Sequence, residues 1–343
     1  MIEKRNSLTN VPVYINFFNR PDTLKKVFES VQKARPCFLY LSCDGAREGN
    51  SADLEKISQC QRIVSNIDWE CEVIRDYSDK NLGCGMRMFS GISSAFKYVD
   101  RLIILEDDCV PNQSFFTFCE EVLERYKDDQ RINMISGMNH LGVYENTKYS
   151  YLFAKTGSCW GWATWKRAWD NVEYDMPFMV EPETLKLLSK AVTPKGYGDY
   201  LINLGKSRYH DYLAGKKLSA WTFQHGMSIH LNSQLIIVPR ENLISNVGLA
   251  ADSTHAVNSI KKLPKATQGL FNMVTYDIDF PLKHPRYTIE NVDYAEKVGK
   301  IMGGHRFFRK IEGYARQIIF AEKGDFSKLW RKLLIKLHIM KSK

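Results

Sequence analysis

Three consecutive carboxylates, Glu106, Asp107 and Asp108, directly follow the apolar run 102–105 and shortly precede Pro111. An apolar run that ends in acids is typical of a buried strand delivering its charges at its carboxyl end. Adjacent carboxylates repel one another unless a cation lies among them. Hard oxygen ligands of this kind suit Mg²⁺ or Mn²⁺ held jointly with substrate phosphates. The triplet therefore predicts a metal and phosphate site, with a solvated acidic turn as the alternative.

Strands and helices alternate along the first 110 residues and place this triplet at the edge of a sheet. Runs of apolar residues predict strands at 11–18, 38–43, 72–75 and 102–105. Apolar residues spaced three and four apart predict helices through residues 24–31, 52–64 and 86–98. This order predicts an α/β fold with a parallel sheet covered by helices on both faces, whose strands end at one shared edge.

Polar side chains that follow the other predicted strands are expected to meet the triplet. Asp44 follows the second strand, Asn81 follows the third, and Arg87 lies at the start of the next helix. Ligands of open α/β sheets bind in the crevice beyond the carboxyl ends of the strands. We therefore expect these three side chains to converge on the triplet at one ligand site.

Three tryptophans lie within nine residues, at positions 160, 162 and 165 of the segment Gly157–Trp165. Buried tryptophan normally belongs to a core, but the glycine between Trp160 and Trp162 permits a close backbone approach and a flat apolar wall that suits a sugar ring. We therefore predict that Trp160 and Trp162 line a sugar-binding pocket, with core packing as the alternative.

The net charge of +9 is concentrated at one end of the chain. From His305 to Lys343 there are eleven lysines and arginines against three acids, so this tail carries +8 and the rest of the chain +1. A surface for duplex nucleic acid needs basic residues spread along its footprint. A nearly neutral body therefore argues against a nucleic-acid partner.

The compartment is indicated by features that the sequence lacks. No apolar stretch approaches the roughly 18 residues of a membrane span, and the first residues lack the apolar region of a secretory signal. The eight cysteines contain no Cys-x-x-Cys pair, which favours neither a zinc site nor a disulfide framework. We expect a cytoplasmic protein with reduced thiols.

Taken in order, the motifs resemble the nucleotide-sugar glycosyltransferases of the GT-A fold, and most closely a bacterial group distantly similar to N-acetylglucosaminyltransferase I. Single motifs are weak, but their order is specific, and the resemblance covers about residues 10–285. It rests on Phe17-Phe-Asn-Arg-Pro21, Asp44-Gly45, Asn81-Leu-Gly83, Glu106-Asp-Asp-Cys-Val-Pro111 with Ser114-Phe-Phe116, Gly157–Trp165, Leu243-Ile-Ser-Asn-Val-Gly248 and Ser253-Thr-His255. It implies a Rossmann-like mixed, mostly parallel sheet flanked by helices, with a basic helical appendage at the C terminus.

The resemblance also implies a reaction, the transfer of a hexosyl or N-acetylhexosaminyl group, with inversion favoured. The donor would be a nucleoside diphosphate sugar, with UDP-sugars favoured, and the acceptor would be a saccharide. Asp108 would bind Mn²⁺ or Mg²⁺, and His255, in a late loop, would complete the metal shell or touch the diphosphate. A cation that bridges both phosphates stabilises the charge developing on the leaving group.

Further residues carry implied roles in binding the donor. Glu106 and Asp107 would position the ribose and a hydroxyl of the donor sugar. Asp44 would accept hydrogen bonds from the nucleobase or the ribose. Arg20 and Arg87 would lie near the base and the diphosphate, and for each arginine a surface ion pair is the alternative.

One departure from the family pattern concerns the general base. Such transferases often carry a Trp-Asp element that supplies the base of an inverting displacement, whereas here Trp221 is followed by Thr222. Threonine cannot act as a base near neutral pH, but histidine can. His225 lies one helical turn from Trp221 and is the first candidate, with Asp199 and Glu241 behind it. The alternative is a structural histidine whose ring is satisfied by a neighbour.

The segment Phe326–Met340 has apolar residues spaced three and four apart, with lysines between them, and predicts a basic amphipathic helix. A helix docked on its own domain shows the same stripe, but the excess of positive charge favours an anionic membrane surface. We expect peripheral binding to the inner face of the cell membrane, where a polyprenyl-linked acceptor would be found.

The chain is long enough for one large domain, predicted at 1–285, followed by the tail at 286–343. Residues 10–110 would form its nucleotide-binding half and residues 111–285 its acceptor-side half.

Two other functions remain open. A sugar-phosphate nucleotidyltransferase predicts a glycine-rich loop with a lysine right after the first strand, which Asn19-Arg-Pro-Asp22 is not. A non-catalytic module that binds nucleotide sugars or lipids would account for Thr222.

Overall fold

The computed structural model describes residues 4–192, 197–249 and 265–302. Strands and helices alternate through the first half of the chain, as the sequence predicts. The strands are β1 (Val13–Phe17), β2 (Phe38–Cys43), β3 (Glu72–Tyr77), β4 (Arg101–Glu106), β5 (Cys109–Pro111), β6 (Ile132–Ser136), β7 (Tyr151–Ala154), β8 (Trp162–Trp165), β9 (Leu235–Pro239) and β10 (Ile244–Asn246). The helices are α1 (Pro21–Ala34), α2 (Ser51–Ser65), α3 (Cys84–Ala95), α4 (Gln113–Arg125), α5 (Lys166–Trp169), α6 (Pro182–Ala191), α7 (Tyr197–Leu213), α8 (Thr222–Leu231), α9 (Lys265–Gln268) and α10 (Val292–Met302), with a 3-10 helix at Pro177–Val180.

Within the described ranges, eight strands form one sheet in the order β3-β2-β1-β4-β8-β6-β9-β7. Strands β3, β2, β1 and β4 are mutually parallel, and β6 is parallel to β9. Strand β8 is antiparallel to β4 and β6, and β7 is antiparallel to β9. The predicted fold class, a Rossmann-like mixed and mostly parallel sheet flanked by helices, is confirmed.

Strand β4 shows why the run before the triplet is apolar without alternation. Successive side chains of a strand point to opposite faces of the sheet. Ile103 and Leu105 are buried in a core on one face, and Leu102 and Ile104 are buried in a second core on the other face. Because both faces are covered, each position needs an apolar side chain.

The topology brings the predicted strand ends to one edge of the sheet. Strands β2, β1 and β4 are parallel neighbours, so the residues that follow them lie side by side. Helix α1 begins at Pro21, which suits the first position of a helix because proline has no N–H to pair. Arg20 therefore lies between β1 and α1, beside the triplet that ends β4 and beside Asp44 after β2.

A separate two-stranded sheet joins a late part of the chain to the triplet. Strand β10 pairs antiparallel with β5, and Asn246 lies opposite Cys109. The segment around Asn246 is thereby held directly behind Asp108.

Two further findings concern the helices and the cysteines. Among the described helices, none is long and apolar enough to cross a membrane. The eight cysteines all lie within residues 4–192, and none of them forms a disulfide. The basic tail beyond residue 302 and the late-loop histidine His255 lie outside the described residues.

Candidate active site

The carboxylate triplet lies where β4 ends and β5 is about to begin. Asp107 is 3% exposed, and its Oδ2 accepts a hydrogen bond of 3.2 Å from the backbone N–H of Phe18. The backbone N–H of Val247 donates to the backbone carbonyl of Asp108 at 2.8 Å. Backbone groups from two distant segments therefore fix the triplet from both sides.

Arg20 is the counter-ion of the triplet. Its Nη1 lies 2.9 Å from Asp108 Oδ2, and its Nη2 pairs with Asp107 Oδ1. The arginine side chain is only 15% exposed. Burial alone would lower the pKa of Arg20, but the two carboxylates raise it above its ordinary value. The guanidinium is therefore held in its charged form among the acids.

One guanidinium does not neutralise the triplet. Burial raises the pKa of Glu106 to about 8, and repulsion from Asp108 and Asp107 adds to this effect. Burial also raises the pKa of Asp107, although Arg20 opposes that shift. The site therefore favours a further positive charge, because a cation would offset both the burial and the mutual repulsion of these carboxylates.

Gly248 packs directly against the triplet. A Cβ atom at this position would lie 2.1 Å from Asp108 Oδ2, which is closer than any side chain tolerates. The backbone N–H of Gly248 donates to Asn246 Oδ1 at 2.9 Å, which fixes the turn after β10. The motif Leu243–Gly248 therefore supplies a close backbone approach to the carboxylate of Asp108.

A cavity of about 290 Å³ opens beside the triplet, and three arginines line it, so we name it the arginine cavity. Arg20 belongs to the ion pairs described above. Arg87 is 4% exposed, pairs with Asp76 at 3.0 Å, and has no hydrogen-bond partner for its Nε among the described residues. Arg47 pairs with Asp53 at 2.7 Å. Three guanidinium groups around one cavity suit an anionic ligand such as a diphosphate.

Asp44 lies in the wall of this cavity, but its carboxylate is already occupied. It accepts hydrogen bonds from the backbone N–H groups of Gly45, Leu82 and Gly83 at 2.8 to 3.0 Å and from the side-chain amide of Asn81 at 3.2 Å. A carboxylate offers about four lone-pair sites, so these bonds use its capacity. The structure therefore gives Asp44 and Asn81 the task of shaping the loop before α3, and leaves Asp44 no free acceptor for a nucleobase.

A second cavity, of about 360 Å³, lies on the other side of Glu106, and we name it the Trp160 cavity. Glu106 lines both cavities. Apolar side chains and a few polar groups share the wall of the Trp160 cavity, among them Met138, His140, Ser158, Trp160, Thr222 and His225. Both volumes lie near the lower end of the roughly 300 to 1,000 Å³ that is typical of small-molecule sites.

The two tryptophans that were expected to line a sugar pocket are separated. Trp160 is half-buried, lines the Trp160 cavity and packs against Phe271 with ring centroids 4.8 Å apart. Trp162 is 0% exposed and packs on Trp221 and His225 with centroids 5.4 and 4.7 Å away. The structure therefore places Trp162 in the core, in contrast to the expectation from the sequence, because β8 points this side chain into the sheet packing.

His225 has the character of a structural histidine. It is 1% exposed, its Nε2 lies 3.0 Å from Asn133 Oδ1, and its Nδ1 lies 3.7 Å from the sulfur of Cys159. Burial lowers the pKa of His225 to about 3. Although the residue lines the Trp160 cavity, such a low pKa makes it a weak proton acceptor at neutral pH.

The two other candidate bases are not brought to the triplet. Asp199 lies exposed on α7, where it accepts a hydrogen bond of 2.6 Å from Ser189. Glu241 lies 3.4 Å from the side chain of its neighbour Arg240 and lines a different, smaller cavity. Neither residue lines the arginine cavity or the Trp160 cavity.

A divalent cation fits the triplet by charge, with part of its ligands supplied by the substrate. Ionised, the three carboxylates carry three negative charges against the one positive charge of Arg20. Across residues 4–192, 197–249 and 265–302, no three histidine, cysteine or carboxylate side chains converge so that they could hold an ion alone. Mg²⁺ is commonly held by one or two carboxylates plus substrate phosphates, and Asp108, with 14% of its side chain exposed, permits this arrangement.

Two residues of the cavities were missed by the sequence reasoning. Arg47 lies three residues after Asp44, and a basic residue so close to a predicted strand end was a usable signal. His140 follows β6, in a segment without a motif, and only the folded chain shows that it lines the Trp160 cavity.

No protein-family model and no curated protein matches the chain. Among solved structures, the crystal structure of HddC from Yersinia pseudotuberculosis aligns with 42% of this chain at 12% sequence identity, with a TM-score of 0.26. The aligned part spans 59% of HddC, so the chain covers less than two thirds of the length of that protein. A TM-score of this size carries no conclusion about fold or function. The fold rests on the strand order and pairing described above, and the function is argued from the geometry of the site.

Proposed function

We propose that the chain is a metal-dependent glycosyltransferase of the GT-A type. It would move a sugar from a nucleoside diphosphate donor to a saccharide acceptor, and UDP-sugars are the favoured donors. One observation carries the proposal. Glu106, in a buried carboxylate triplet at the end of a parallel strand, separates a cavity lined by arginines from a second cavity with an aromatic wall. An anionic leaving group on one side and a sugar acceptor on the other match this pair of cavities.

On the donor side, the proposed task of the chain is to hold and orient a diphosphate. Arg87 is anchored by Asp76 and lines the arginine cavity, and its Nε has no partner among the described residues. Arg20 lies next to Asp107 and Asp108 and can exchange one of these partners for a phosphate oxygen. A divalent cation bound at Asp108 would supply charge stabilisation for the departing diphosphate.

On the acceptor side, Trp160 offers an aromatic surface against which a sugar ring can pack. Glu106 lies between the two cavities and can position a hydroxyl of the donor sugar where the acceptor approaches. Glu106 and Cys159 are half-buried there, which limits the access of water. Exclusion of water favours transfer to an acceptor hydroxyl over hydrolysis of the donor.

The proposal is tested by a screen of the purified chain with Mn²⁺ and a panel of nucleotide sugars, following thermal stability and slow donor hydrolysis together. A donor present at a hundredfold excess over its Kd should stabilise the fold by about 2.7 kcal/mol. One donor should both raise Tm and be turned over. Stabilisation without any turnover would favour a non-catalytic binding module, and no response to any donor would contradict the proposal.

We also propose membrane contact, through the basic segment Phe326–Met340. This segment lies outside the described residues, so the proposal rests on its sequence pattern. An amphipathic basic helix there would bind anionic lipids, with each lysine or arginine contributing about 1 kcal/mol. Deleting residues 325–343 should weaken sedimentation with anionic liposomes while leaving transfer to a short soluble acceptor intact. Liposome binding that the deletion does not change would contradict this part.

A further inference from the structure

The Trp160 cavity is lined by a histidine, one of whose ring nitrogens has no hydrogen-bond partner among the described residues. His140 is 6% exposed and lines the cavity, and its Nδ1 is sealed from solvent without a hydrogen bond to the described residues. Buried polar side-chain atoms nearly always have a partner, so an exception calls for an explanation. A hydroxyl group in the cavity could supply the missing bond once the imidazole turns over and presents Nδ1 to the cavity.

Hydrogen bonds of the neighbouring Asn139 hold His140 in a fixed position. The side-chain amide of Asn139 donates to the backbone carbonyls of Pro239 and Arg240 at 3.0 and 2.7 Å, and its Oδ1 accepts from the backbone N–H of Leu141 at 2.9 Å. These bonds fix the backbone on both sides of His140 against the end of β9. The imidazole is therefore presented at the cavity by a rigid segment, as specific recognition requires.

The charges around the cavity indicate what kind of ligand it takes. The one lysine among its described lining residues, Lys155, lies 3.9 Å from Glu290, which offsets the positive charge. Glu106 contributes a carboxyl group at the boundary with the arginine cavity. Burial keeps His140 neutral, since its pKa is lowered to about 4. With Lys155 paired and His140 neutral, the described lining offers no free cation to an anion, so it favours an uncharged ligand that bears hydroxyl groups.

We propose that the Trp160 cavity binds a neutral saccharide, with the ring of Trp160 against an apolar sugar face and His140 hydrogen-bonded to one sugar hydroxyl. Naming this saccharide the acceptor rests on the proposed function; the binding site itself does not. Glu106 marks the reacting side, and the proposal therefore assigns the attacking hydroxyl to that side and a different hydroxyl to His140. His140 is thus a specificity-determining residue that selects acceptors by a hydroxyl remote from the reaction.

The test uses saturation-transfer NMR on the full chain with neutral methyl glycosides of common hexoses and N-acetylhexosamines, without donor or metal. At least one glycoside should bind the wild-type chain. His140→Phe, which keeps a ring but removes both nitrogens, should weaken the best binder by about tenfold, the effect of one lost hydrogen bond. His140→Asn, which keeps a polar atom near Nδ1, should retain part of the affinity. His210→Asn, at an exposed position on α7, is the matched control and should change nothing.

Deoxy analogues of the best glycoside identify the bond, and their loss of affinity for the wild-type chain can be measured even where a variant fails to fold. One analogue, lacking a single hydroxyl, should bind the wild-type chain about tenfold more weakly than its parent, yet bind His140→Phe as well as the parent does. The proposal is overturned if no neutral glycoside binds, if a methyl hexuronate binds better, or if His140→Phe and wild type respond equally to every analogue. Nucleotide-sugar binding with Mn²⁺, measured on the same samples, separates this outcome from failure of the proposed function.

Discussion

The Arg20 guanidinium lies 2.9 Å from the carboxylate of Asp108 and also pairs with Asp107. The chain thus places a cation of its own at the position where we propose that a metal binds. In the absence of donor and metal, Arg20 pairs with two of the three acids. One of these acids, Asp108, is the proposed metal ligand, so the ion pair occupies it. Metal and Arg20 therefore compete for Asp108, and a diphosphate that attracts Arg20 would favour the metal.

Arg20→Met should expose this competition. Removing the guanidinium leaves two largely buried carboxylates without a partner, and such a loss costs about 3 kcal/mol of stability. Because a cation is then the remaining source of compensation, Mn²⁺ should raise the Tm of the variant more than that of the wild-type chain. Donor affinity should fall at the same time. Arg47→Met is the matched control, since Arg47 lines the same cavity but pairs with Asp53 instead. Equal Mn²⁺ responses in all three proteins would contradict the competition.

Asp108→Asn tests the metal site directly. The substitution preserves the shape of the side chain but removes its charge, so the fold should persist while Mn²⁺-dependent turnover is lost. Titrating Mn²⁺ against the protein by electron paramagnetic resonance, in the presence of the donor, gives a readout that does not depend on activity. Asp170→Asn, at an exposed ion pair with Lys166, should behave as wild type. Full activity of Asp108→Asn, or full wild-type activity in excess EDTA, would refute the metal assignment.

Substitutions of Trp162 and Trp160 should have different main effects, the first on stability and the second on function. Trp162→Ala removes a fully buried side chain and should cost about 3 to 5 kcal/mol of stability. Trp160→Ala should lower kcat/KM for the acceptor by about tenfold or more, with a smaller loss of stability, because Trp160 lies at a cavity wall. Thermal melts and acceptor kinetics on both variants distinguish these effects. A reversed order of the two stability losses would contradict the placement of these residues.

His225 should make the protein sensitive to acid. Its pKa falls from an ordinary 6.5 to about 3 in the folded chain because burial disfavours the charged ring. Between these values the unfolded state binds a proton that the folded state excludes, so stability decreases as the pH falls through this window. Gln can preserve the contact to Asn133 without becoming charged, so His225→Gln should lose less Tm than wild type between pH 7 and pH 5. A slope as steep as that of wild type would show that other groups govern the acid response, His230 among them.

The parts of the fold that depend on short-range patterns could be predicted from the sequence. The strand at 38–43 was predicted at its observed bounds, and the strand before the triplet was recognised because both faces of β4 need apolar residues. The parallel order then followed from the alternation of strands and helices, and with it the meeting of Asp44, Asn81, Arg87 and the triplet around one cavity. These inferences require only periodicity and the handedness of crossovers.

The remaining features depend on contacts that the sequence does not encode locally. Trp160 and Trp162 are two residues apart, and only the pairing of β8 decides which one is enclosed by the sheet. Asp44 looked like a free acceptor, and its saturation depends on a loop almost forty residues later. His140 belongs to no motif and becomes notable because folding brings it to a cavity, where its Nδ1 has no partner within the described part of the chain.

Gly248 extends the functional unit to a residue with no reactive group at all. Since any Cβ there would collide with the Asp108 carboxylate, every replacement must push aside either that acid or the turn held by Asn246. In a saturation-mutagenesis screen scored on transfer, position 248 should therefore be about as intolerant as position 108, even for alanine. A map of tolerated substitutions would thus trace the active site through its backbone as clearly as through its side chains.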